Sequence, residues 1–175
     1  MEVHTFMMQR CRAVQHVLFF LLLSVGALNG CGYSLYSHAS LPFKEIAVDT
    51  IENRTLEPGL QDIFQRVLVE EFMKQGISVI PSAKNRVSAV IRTFDMPSLA
   101  EVGGYTREYK ITVGIDVLIT DENGQKRYIK NVGSPFMNPF AGSDDMGMLL
   151  ATKRLAEEEA LRDAARQLIG ALIFK

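Results

Sequence analysis

Sixteen residues in the second half of the chain alternate without a break. Tyr105, Arg107, Tyr109, Ile111, Val113, Ile115, Val117 and Ile119 interleave with Thr106, Glu108, Lys110, Thr112, Gly114, Asp116, Leu118 and Thr120. A period of two places one set on each face of a strand, so the pattern predicts a single half-buried β-strand over residues 105–120. At about 3.3 Å per residue it spans roughly 50 Å, against about five or six residues for a usual strand. One end is therefore expected to project past the body of the domain, and Gly114 to mark a bulge. A strand this long needs partners and needs helices to cover its apolar face.

The flanking sequence supplies both. Residues 121–124, Asp-Glu-Asn-Gly, carry the Asn-Gly hairpin signal, and residues 126–133 form the returning strand. Residues 45–51 and 86–95 read as further strands, the first with Ile46 and Val48 on one face, with a short extended segment at 77–80. Between them, Leu60, Ile63, Phe64, Val67, Leu68 and Phe72 repeat at helical spacing. Pro58 suits the first turn and Gly76 the C′ position, giving a helix over 58–75 with Asp62, Arg66, Glu70 and Lys74 on its wet face. A second helix runs from an N-cap at Ser143 to about Ile173, with Ala156, Ala160, Ala164 and Leu168 as a thin face for close approach to a sheet. Residues 134–142 read as a loop. The expected fold is α+β: a two-layer sandwich of two amphipathic helices on a mixed, mostly antiparallel sheet of four strands.

The first thirty-one residues have a different character. Arg10 and Arg12 precede an apolar run from Val17 to Leu28, and Leu28-Asn29-Gly30 leads into Cys31. A basic region, a short apolar core and a small residue before a cysteine read as a lipoprotein signal. The run of about twelve residues is short of the roughly twenty needed to span a bilayer. The expected organisation is a cleaved signal over 1–30, a lipidated tether over 31–43 and one domain over 44–175. Cys31 is the lipidation site, carrying N-acyl and S-diacylglycerol chains, and each buried methylene contributes about 0.8 kcal/mol to anchoring.

Composition narrows the chemistry. Without Glu2, Arg10 and Arg12 of the leader, the chain's 19 basic and 20 acidic side chains become 17 and 19, so no global field favours nucleic acid. Cys11 leaves with the leader, Cys31 is consumed by lipid, and His38 is the one histidine left of three. That leaves no thiol for a disulfide, no histidine cluster for a metal and no ordinary general base. Neither a glycine-rich phosphate loop nor a G-x-S-x-G motif is present. No catalytic residue, metal site or dissociable cofactor is assigned, and the chain is expected not to be an enzyme.

Several segments carry a resemblance. Cys31-Gly32-Tyr33 stands at the anchor, and Ile51-Glu52-Asn53-Arg54-Thr55-Leu56-Glu57-Pro58-Gly59-Leu60 runs from the first strand into the first helix. Glu108-Tyr109 lies on the long strand, and Arg166-Gln167-Leu168-Ile169 closes the last helix. Over nearly its whole length the chain resembles the LptE family, the lipopolysaccharide-assembly lipoproteins of Gram-negative outer membranes. The resemblance implies an outer-membrane lipoprotein that is the non-enzymatic partner of an LptD-like β-barrel. It would plug that barrel, help assemble it and bind lipopolysaccharide. Family members carry basic residues before the long strand and before the last helix. Here those stretches read Leu99-Ala100-Glu101-Val102-Gly103-Gly104 and Ala141-Gly142-Ser143-Asp144-Asp145, so those roles do not transfer. The cations left to meet lipopolysaccharide phosphates are Arg107 and Lys110 on the long strand and Lys126, Arg127 and Lys130 on its hairpin partner.

Plainer readings stand beside these. Arg107 to Lys130 contains both signs of charge and also suits cross-strand pairing on a wet face. Asp121 with Glu122 fits a turn, and Asp144 with Asp145 a helix end, better than either fits a metal. Asn53, Arg54 and Thr55 either contact the barrel or end a strand through side-chain to backbone hydrogen bonds. Phe136 and Phe140 either form a partner patch or lid the core. An unrelated envelope lipoprotein serving as an adaptor is the alternative function, and a lipid-anchored hydrolase resting on His38 is the third.

Overall fold

The computed structural model describes residues 41–102, 105–133 and 138–173. Cys31, His38, Gly103, Gly104 and Phe136 lie outside the described residues, as does the expected signal peptide. Seven strands and two helices follow in the order β1 (Glu45–Asn53), α1 (Leu60–Lys74), β2 (Ser78–Val79), β3 (Arg86–Asp95), β4 (Ser98–Val102), β5 (Tyr105–Thr120), β6 (Lys126–Gly133), β7 (Asn138–Ala141) and α2 (Met146–Ile173).

The long strand is the axis of the sheet, with the predicted bounds. On one side β3 pairs antiparallel with its C-terminal half and β4 with its N-terminal half; on the other, β6 and β7 divide it the same way. Parallel pairings of β1 with β3 and of β2 with β1 complete a mixed sheet. The α+β class stands, but the sheet has seven strands where four were expected. Of the three additional strands, β4 and β7 line the end of β5 expected to project past the domain body, and β2 lies in the segment expected only as extended. Met96-Pro97 interrupts the β3 edge, yet the Pro97 carbonyl still accepts the Lys110 N–H at 3.2 Å, and pairing resumes at Ser98.

One face of β5 (Ile111, Val113, Ile115, Val117, Ile119) is buried against the helices, together with Val87, Ala89 and Ile91 of β3. Leu60, Phe64, Val67, Leu68 and Phe72 of α1 meet it, as do Ala160, Leu161, Ala164, Ala165 and Leu168 of α2. The alanines keep α2 thin where it lies on the sheet. Leu41 is buried and Phe43 packs edge-on against Phe72 at 6.5 Å, so part of the segment expected to be tether belongs to this core.

The helix ends follow local chemistry. Gly76 takes φ +75°, and the Gly76 and Ile77 N–H groups return to the Met73 and Phe72 carbonyls, a Schellman close. At the other end α1 begins at Leu60, two residues later than expected, with Gly59 at φ +83° preceding it. The α2 cap is Asp145 rather than Ser143: its carboxylate accepts the Met148 N–H at 3.0 Å, while the Ser143 hydroxyl accepts the Asp145 N–H at 3.1 Å.

Candidate functional site

The segment between β1 and α1 is a closed hydrogen-bonded unit. Asn53 Oδ1 accepts the Thr55 N–H at 3.0 Å and the Thr55 hydroxyl at 2.8 Å. The Asn53 amide donates to the Glu57 carbonyl at 2.7 Å and to Gln61 Oε1 at 3.3 Å, and the Glu57 N–H reaches Thr55 Oγ1 at 3.2 Å. The Arg54 N–H bonds the Ile91 carbonyl at 3.0 Å, and its guanidinium grips Glu52 at 2.7 and 2.8 Å. Asn53 is thus engaged inward, whereas Arg54 is exposed. Lys153 of α2 ties the loop down through Glu57 at 2.7 Å, with its ammonium 5.9 Å from the centre of the Phe94 ring.

Beside that pair lies Glu157, which is buried. Its Oε1 is 3.4 Å from the Lys153 ammonium but has no directed hydrogen bond among the described residues. Burial pushes its carboxyl above the usual range, and Lys153 offsets part of that rise. Burial also acts to lower Lys153, but Glu57 and Glu157 outweigh it and raise the ammonium.

The sheet face away from the helices carries an open groove of about 410 Å³. Val90, Leu118 and Tyr128 give it apolar walls, and Glu52, Arg92, Asp116 and Lys130 edge it with both signs of charge. Asp116 organises its floor. One carboxylate oxygen accepts the Arg92 Nε at 3.0 Å and the other the Asn131 N–H at 3.1 Å. The β3–β5 register shifts between Ile91 and Thr93, and the β5–β6 register shifts across Asn131, which stands at φ +54°. The bulges therefore flank Gly114, which marks them as the sequence predicts, with the extra residues on the neighbouring strands β3 and β6. The Asn131 N–H, with Arg92 beside it, holds Asp116 below the usual carboxylate range.

The five candidate cations do not form one cluster. Arg107 and Lys110 belong to the half of β5 lined by β4 and β7, while Lys126, Arg127 and Lys130 sit on β6 beside the other half. Ten residues separate Lys110 from Thr120, the partner of Lys126, or about 33 Å of strand. The side chain of Arg107 lies outside the described residues. Arg127 donates to the Ala171 carbonyl at 2.8 Å, so it serves the end of α2. Phe140 is buried and stacks on Tyr109 at 5.2 Å and 17°, the arrangement of a lid on the core.

Between the helices runs an ion network that the wet-face reading of α1 had missed. Arg162 reaches Glu70 at 2.8 Å, Glu71 at 3.1 Å and Glu158 at 2.8 Å, and Arg66 reaches Glu158 at 2.8 Å. Arg66 and Glu70 thus face α2. Periodicity alone could not assign them, because both positions lie on the border of the apolar stripe.

No group of three or more His, Cys, Asp or Glu among the described residues is placed to hold a metal. No helix among them is long and apolar enough to cross a membrane. What the surfaces offer is a rigid loop, an open sheet face and an extended sheet end. The described residues form a two-layer α+β protein whose loop, groove and sheet end lie on its surface, with Glu157 buried beneath the loop.

Comparison with known proteins adds the family. The profile of the LptE family, described as lipopolysaccharide-assembly, matches residues 43–172, and the chain belongs to that family. No curated protein sequence matches the chain. Similar solved structures include a lipoprotein from Caulobacter crescentus at 14% identity, covering 70% of this chain and 87% of that one with a TM-score of 0.47. A minor lipoprotein from Acinetobacter baumannii shares 12% identity over 76% of this chain and 92% of that one, TM-score 0.48. The rare lipoprotein B of Shewanella oneidensis shares 13% over 73% and 92%, TM-score 0.43.

Proposed function

We propose that this protein is a lipid-anchored outer-membrane lipoprotein that seats inside an LptD-like β-barrel, helps it assemble and binds lipopolysaccharide on its way to the outer leaflet. The observation that carries this is the family match over residues 43–172, which takes in the whole sheet, α1 and all but the last residue of α2. A body held in a wet barrel lumen needs its own core and a polar exterior. This chain has both: a continuous core between helices and sheet, and charged residues of both signs around it. Cys31 carries the lipid in this reading.

For lipopolysaccharide, Arg107 and Lys110 are the cations of choice. They share the extended half of β5, where β4 pairs beside them and Leu99 is exposed, so phosphate and acyl chemistry can meet on one end of the sheet. Pull-down of the tagged, acylated protein from detergent-solubilised outer membrane tests the partner. A near-stoichiometric β-barrel is expected, and its absence from well-processed protein sinks the reading. Reversing Arg107 and Lys110 together should then lower lipopolysaccharide retained per barrel complex without lowering barrel capture.

A further inference from the structure

Leu56 is 104% exposed, ahead of Leu155 at 70% and Tyr128 at 67%, and it stands at the middle of the most tightly bonded loop described above. A leucine in a floppy loop is ordinary. Here the residues on both sides are fixed: Asn53 and Thr55 close the turn before it, and Glu57 is held after it by the Asn53 amide, the Thr55 hydroxyl and the Lys153 ammonium. The loop is also fastened to β3 through the Arg54 N–H and to α2 through Lys153. Ordering a loop at the moment of association costs free energy, and a loop ordered beforehand avoids that cost. An apolar side chain held fully in solvent by such a frame gains nothing for the isolated fold.

We infer that Leu56 is a pre-organised docking anchor that inserts into an apolar socket on the inner wall of the β-barrel partner, with Arg54 and Glu52 on its polar rim. This rests on the function proposed above and names the contact. The local charges choose a protein over a lipid surface. Glu52 pairs with Arg54 and Glu57 with Lys153, so the rim is neutral and mixed in sign. Anionic lipid would call for surplus cations, and a bilayer for a broad apolar face. One buried apolar anchor ringed by paired polar groups is the usual construction of a protein interface.

The test uses the full-length acylated protein, with Leu56→Asp, the milder Leu56→Ser and, as a surface control, Ser82→Asp. Barrel captured per molecule is quantified by mass spectrometry, and the thermal midpoint is measured beside it. The expected result is a loss of barrel capture of about tenfold or more for Leu56→Asp, a smaller loss for Leu56→Ser, none for Ser82→Asp, and unchanged midpoints throughout. Capture within twofold of wild type in both Leu56 variants overturns the inference while leaving the barrel partnership standing. Wild-type protein that captures no barrel overturns the partnership and the anchor together. A self-association lost in Leu56→Asp with barrel capture intact assigns the anchor to a second copy, and that also overturns it.

Discussion

Two adjacent glutamates on α2 meet opposite fates, and the difference is readable as a pH profile. Glu158 receives Arg66 and Arg162, whose hydrogen bonds hold its carboxyl at about 2. A depressed carboxylate contributes stability that is present above its unfolded value, near 4.5, and is lost as pH falls through about 2. Glu157 is the reverse case. Burial raises its folded value, so its contribution is present below the ordinary 4.5 and is lost as pH rises through that raised value. One oxygen of Glu157 is buried without a directed hydrogen bond, an arrangement that costs more for the ionised carboxylate than for the neutral acid. Glu157→Gln removes the titrating group, so its stability relative to wild type should rise as pH climbs above about 4.5 and be least favourable in acid. Glu158→Gln should lower stability at neutrality and flatten the acid limb between about 4.5 and about 2. Thermal melts from neutral pH down to about 2 decide it, and parallel profiles for the two variants would refute the assignment.

At the scale of elements, the two bulges beside β5 make specific demands on glycine. A Cβ on Gly133 would collide with the Val113 carbonyl oxygen, a backbone atom that cannot rotate away. A Cβ on Gly114 would meet the Thr93 hydroxyl at 2.6 Å, a side-chain atom that can turn. Gly133→Ala is therefore expected to cost about 2 to 3 kcal/mol and Gly114→Ala about 1 kcal/mol or less, measured by denaturant unfolding. A larger cost at Gly114 would mean that the β3 bulge is the more rigid of the two.

The bulges also mark how far the sequence speaks. Sixteen alternating residues specify β5 to its ends because every position agrees on one period. β4 and β7, of five and four residues, carry no period of their own and include Pro139; they form because β5 offers unpaired backbone at its far end. The interhelical ion network is hidden for a related reason. An i, i+4 pair such as Arg66 and Glu70 looks the same on a wet face as on a helix border, and only the arrival of α2 distinguishes them. The loop shows the same limit at single residues. Its Asn-Arg-Thr sequence signals a turn, but nothing local says that Asn53 faces in and Leu56 faces out.

For the molecule as a whole, the remaining issue is where the folded body begins. Composition changes near Lys44, yet Leu41 is buried within the common core, and Phe43 meets Phe72 of α1. The Lys44 carbonyl also accepts the Ser78 N–H at 2.9 Å, so the strand that follows is already paired at its first step. A chain cut to start at residue 44 would lose both apolar side chains and leave α1 partly uncovered. One starting at residue 41 would keep them. The shorter fragment should be less stable by about 2 to 3 kcal/mol, the transfer and cavity cost of a buried leucine, with the half-buried phenylalanine adding to it. For a body of this size that is a fall in thermal midpoint on the order of 10 °C. Calorimetry on the two fragments checks it. Equal midpoints would show that Leu41 fills its site without stabilising it; a clear difference extends the folded body to Leu41.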